Sequence, residues 1–97
     1  MLRWFATANS EQFGKDLANF IVAELERLAH RGQPKFAVKA DKTLQKAAVR
    51  IVAFKGVERL NFYKKAKLAN AFLWTLKDAG CEDGYANTLT DWLTQRL

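Results

Sequence analysis

The chain reads as an all-α domain, a compact antiparallel bundle of four helices, three long and a shorter one at the C-terminal end. Three observations predict it. Alanine is abundant while proline and β-branched residues are scarce, which favours helix by propensity. Apolar residues recur three and four positions apart. Glycine and proline punctuation divides the chain into four stretches. With 97 residues there is room for a single domain spanning residues 1–97 and too little for two.

The first helix is expected from Ser10 to Arg31. Asn9 is the candidate N-cap, with Gln12 three residues on. Phe13, Leu17, Phe20, Ile21, Leu25 and Leu28 make one apolar face, and Gly32 followed by Pro34 marks the stop. The second helix is expected as one rod from Pro34 to Lys55. Proline is tolerated in the first turn. At about 100° per residue, Ala37, Ala40, Leu44, Ala47, Ala48 and Ile51 then cluster opposite a row of cations. The competing reading starts the helix at Asp41 and leaves residues 35–40 extended, because Phe36, Val38 and Ala40 alternate.

Gly56 is expected to end the second helix. The third runs from the candidate N-cap Asn61 to Ala79, with Phe62, Ala69, Phe72, Leu73 and Leu76 inward and Gly80 at the C′ position. After the turn Cys81–Gly84 the last helix is expected from Tyr85 to Arg96. Its Leu89, Trp92 and Leu93 face inward, and Asp83 stands near its start. The connections are short, which predicts antiparallel neighbours.

Charge is distributed unevenly. Between Arg27 and Lys67 twelve Lys or Arg face only Asp41 and Glu58, so that segment carries +10 within a chain of net +6. The flanks together are therefore acidic at −4. Such a split predicts one basic side and a polyanionic partner. The centre of the excess is the row Lys35, Lys39, Lys42, Lys46 and Arg50, which falls within an arc of about 80° and extends about 22 Å along a helix. None of the five has an acid four residues earlier to relieve it. Lys55, Arg59, Lys64 and Lys67 continue the excess.

Five collinear cations suit an extended ligand, DNA or RNA, held by its backbone with little sequence preference. Five duplex phosphates neutralised predict a log K against log salt slope of about −4.5. The plainer reading is a solvated helix face that pairs with acids of the first helix. A membrane surface suits the row less well, since the opposite side is mostly alanine.

Tyr63, Lys67, Asn70 and Trp74 line one side of the third helix, away from its core face. This aromatic–basic row suits stacking of unpaired bases. The plainer reading is a helix buried on two sides, with Trp74 covered by Trp4, Phe5 or the last helix, and a third is a homodimer contact. An acidic protein partner is the competing occupant of the basic face.

Catalytic and cofactor signatures are missing from the sequence. Glu24 lies inside the apolar arc of the first helix, where a carboxylate needs a partner, and Lys65 is the expected one. No second acid, serine or histidine is spaced to work with it, so no enzyme is expected. His30 is the only histidine and Cys81 the only cysteine, which leaves no metal-ligand spacing and no intramolecular disulfide. Gly14–Lys15 lacks the rest of a phosphate loop. No apolar run approaches the roughly 20 residues of a membrane span, and the opening residues lack the features of a signal peptide. The expected compartment is the cytoplasm.

Overall fold

Thr7 opens the first helix, and the reason is local chemistry. Its carbonyl accepts the Glu11 N–H at 2.8 Å, the first bond of the helical ladder, while its hydroxyl donates to the Glu11 carboxylate at 2.6 Å. The N-cap is therefore Thr7 and not Asn9, which stands exposed in the first turn. The computed structural model describes residues 7–29 and 41–97. Its four helices are α1 (Ala8–Ala29), α2 (Asp41–Val57), α3 (Phe62–Asp78) and α4 (Asp83–Thr94), with no strand among the described residues. The expected all-α four-helix bundle is what forms.

Residues 30–40 lie outside the described residues. That segment includes Arg31, the choice between rod and strand before Asp41, and the side chains of Lys35 and Lys39. At its other end α2 continues through Gly56 to Val57. The Glu58 N–H still bonds the Phe54 carbonyl at 2.8 Å, and Gly56 has no positive φ. Gly56 is thus a helical residue rather than a stop.

Helix α3 begins as expected, with the Asn61 side chain accepting the Lys64 N–H at 2.8 Å. It ends in a complete Schellman motif. Gly80 has φ +89°, its N–H bonds the Lys77 carbonyl at 3.0 Å, and the Cys81 N–H bonds the Leu76 carbonyl at 3.0 Å. Leu76 and Cys81 are both buried, so the turn carries the apolar pair that usually accompanies this motif. Helix α4 then starts two residues earlier than expected, at Asp83, whose carboxylate complements the helix N-terminus.

The core lies chiefly between α1, α3 and α4. Leu17, Ile21 and Leu25 of α1 meet Leu68, Phe72 and Leu76 of α3, and Ala86, Leu89 and Leu93 close it from α4. Burial of each large side chain contributes roughly 1.5–3 kcal/mol. The α1–α3 contact is the most extensive, and α1 achieves it with small residues one turn apart: Ser10, Gly14 and Ala18 are all buried. A Cβ on Gly14 would overlap the Leu68 carbonyl oxygen and lie 3.2 Å from the Phe72 nitrogen and 3.3 Å from Ala71 Cβ. Glycine is required there by proximity.

Helix α2 packs on a different side of α1. Phe13 stacks on Phe54 with centroids 4.2 Å apart, Arg50 covers Phe20, and Lys46 reaches Glu24. The ascending order on α1 and descending order on α2 make the pair antiparallel. Among the described side chains of α2 only Thr43, Ala47 and Ile51 are buried.

Two expectations about buried faces need correction. Phe62 is 86% exposed. The buried section of α3 starts at Leu68, about 9 Å further along the axis, so Phe62 has no core beneath it. Trp74 is 56% exposed and is not buried by the last helix; Trp4 and Phe5, the other expected covers, lie outside the described residues.

Candidate nucleic-acid interface

The cationic row on α2 occupies a different position from the one its spacing suggests. Among its described members, Lys46 Nζ sits 3.0 Å from Glu24 Oε1, and Arg50 Cζ lies 4.0 Å from the Phe20 ring centroid. Both neighbours belong to α1. Lys42 is exposed, with no ion pair among the described residues. The row therefore follows the α1–α2 seam. The reason is angular: α2 buries Thr43, Ala47 and Ile51, and the cations fall about a quarter turn from that line.

Glu24 explains itself in the same geometry. The broad apolar arc of α1 is two adjoining contact faces, one toward α3 and one toward α2. Glu24 stands at the α2 edge, where Arg27 bonds it at 3.3 Å and Lys46 at 3.0 Å. The Arg27 hydrogen bond, then the Lys46 hydrogen bond, hold its carboxyl below its ordinary pKa. Lys65 is not its partner; it lines a hollow at the α2–α3 junction instead.

That junction gathers the next predicted cations. An open hollow of about 400 Å³ is lined by Lys55, Arg59, Lys65, Glu58 and Leu97, among others. Lys55 Nζ donates to the Arg96 carbonyl at 3.0 Å. Lys64 Nζ pairs with Glu58 at 3.1 Å and is largely withdrawn from solvent. Arg59 stays exposed. Of the junction cations, Lys64 is therefore neutralised locally and Arg59 points outward.

The aromatic–basic row of α3 assembles as its spacing predicts. Leu68, Phe72 and Leu76 fix the inward side, which turns Tyr63, Asn70 and Trp74 to the opposite side. Lys67 Nζ lies over the Tyr63 ring at 5.6 Å, and Lys77 Nζ lies over the Trp74 ring at 5.2 Å. The two rings stand about 16 Å apart along the axis. Lys77 is the residue that sequence reasoning missed, although a lysine three positions after an outward tryptophan was visible there.

An ammonium over an exposed ring is held by about 0.5–1 kcal/mol, whereas a base stacked on that ring contributes about 1–3 kcal/mol.

Among the described residues no group of three His, Cys, Asp or Glu is placed to hold a metal ion, and no helix is long and apolar enough to cross a membrane. His30 lies outside the described residues, and Cys81 is buried. Comparison with known protein families, with characterised proteins and with solved structures returns no match to this chain.

Proposed function

We propose that this protein is a non-enzymatic binding protein for nucleic acid, DNA or RNA, with little sequence specificity, and that it contacts an unpaired strand through the outer face of α3. Tyr63 and Trp74 stack bases, and Lys67 and Lys77 meet the phosphates between and beyond them. The observation that carries this reading is the exposed Trp74 ring and the partly exposed Tyr63 ring on one helix face, each beneath an ammonium. The net charge of +6 draws the polyanion in, and Lys42 and Arg59 add to that field. The α2 row is secondary, because Lys46 and Arg50 are already engaged by α1.

Fluorescence anisotropy with labelled single-stranded DNA, single-stranded RNA and duplex DNA at several salt concentrations tests the proposal. Single strands should bind more tightly than duplex. Two phosphate-contacting lysines give a salt slope of about −1.4 on single strands, far shallower than a five-cation ridge on duplex. The Tyr63→Ala/Trp74→Ala variant should lose about tenfold or more in affinity while keeping its melting temperature. Equal binding of duplex, or an unchanged affinity in the double variant, defeats the reading. The alternative is a homodimer through the same Trp74 and Tyr63 surface, since such residues are enriched at interfaces. Sedimentation that shows a tight dimer indifferent to nucleic acid would establish it.

A further inference from the structure

The side of α2 that points directly away from α1 is apolar over its C-terminal half, beyond the exposed Gln45 on the same arc. Val49 and Val52 are 69% and 71% exposed, and Ala53 and Gly56 beside them are exposed as well. At about 100° per residue these four residues fall on one arc, opposite the buried Thr43, Ala47 and Ile51. A Cβ on Gly56 would meet nothing within 4 Å, so the strip has an open notch at that point. Single exposed valines need no explanation, but a continuous apolar strip one residue wide and two turns long is a docking pattern.

The charges around the strip select the occupant. Lys42 stands at its N-terminal end, Lys46 and Arg50 follow along one edge, and Lys55 stands on the other edge. The only acid on the helix is Asp41, at its first position. A second copy of α2, laid antiparallel so that Val49 meets Val52, would set the Lys46–Arg50 edge against the same cationic edge of the copy. Like charges facing across a contact disfavour that pairing. A helix with an apolar stripe between acidic edges fits both the strip and its borders.

We propose that the outward face of α2 docks an acidic amphipathic helix of a partner protein, with Val49, Val52 and Gly56 taking its apolar stripe and Lys42 and Lys55 its carboxylates. This surface is separate from the α3 face assigned to nucleic acid, so either proposal can fail without the other.

The test uses two labelled model peptides of helical pattern, each with leucines in one stripe, one flanked by glutamates and the other by lysines. Anisotropy with the full chain should show binding of the glutamate peptide only, weakened at high salt. Val49→Asp/Val52→Asp should weaken it about tenfold or more with no change in melting temperature, because both side chains are already in water. Lys42→Glu should weaken the glutamate peptide and admit the lysine one. Trp74→Ala should change nothing. Equal binding of both peptides reduces the strip to general stickiness and overturns the proposal, as does no binding of the glutamate peptide. Sedimentation of the protein alone as a dimer that Val49→Asp/Val52→Asp dissociates would overturn it in favour of a second copy. Loss of oligonucleotide binding in that same variant, with peptide binding retained, would overturn it in favour of nucleic acid.

Discussion

The two sides of α1 are built on opposite principles. Toward α3 it presents Ser10, Gly14 and Ala18, residues small enough for the backbones to approach until a Cβ no longer fits. Toward α2 it presents Phe13, Phe20 and Glu24, whose long side chains hold the partner at arm's length through one ring stack, one cation over a ring and one ion pair. The first contact is close, and it fixes the position of α3. The second is peripheral, and it leaves most of α2 in solvent. Both proposed binding surfaces are thus the backs of helices, attached to different sides of α1.

Three changes sharpen or break this contrast. Gly14→Ala should have the largest effect. Helix propensity favours alanine by about 1 kcal/mol, but the methyl has to displace a backbone carbonyl of α3, and overpacking of this kind costs about 1–3 kcal/mol or more. A lowered urea midpoint is expected, and a midpoint equal to that of the parent protein would mean that the close approach does not hold the fold.

The Glu24→Gln change should be smaller and dependent on pH. The carboxyl is held below its ordinary value of 4.5 by Arg27 and Lys46, so its contribution is present above that pH and is lost as pH falls through the lower folded value. The pair is near the surface, and its worth is below about 1 kcal/mol. Stability curves of parent and variant should run apart at neutral pH and converge in acid below pH 4.5. Parallel curves across that range would show that the seam does not depend on the ion pair.

Val52→Ala should be the smallest, within about 0.5 kcal/mol by thermal unfolding, because the side chain is 71% exposed. A larger loss would mean that α2 is buttressed on its outer side after all.

The fold was legible because its determinants are local. Asn61 caps α3, Gly80 closes it, and Leu17, Ile21 and Leu25 keep helical spacing, all of which can be read from one strand of text. Phe62 misled because spacing gives an angle around a helix but not where along it the neighbour begins. Glu24 misled for the same reason in three dimensions. Its apolar surroundings were real, but they belonged to two faces, and only the placement of α2 reveals that Lys46 and not Lys65 arrives there. The α3 row of Tyr63, Lys67 and Trp74 was readable as outward from its angle. That Trp74 stays exposed follows from packing with α1 and α4, which no periodicity encodes.

The Schellman turn after α3 has a practical consequence. Cys81 is 5% exposed, with its amide tied to Leu76. A thiol-alkylating reagent can reach its sulfur only in molecules where that corner has momentarily come apart. The labelling rate of this single thiol is therefore a built-in clock for the loosening of the α3–α4 corner, readable in the unmodified protein by mass alone.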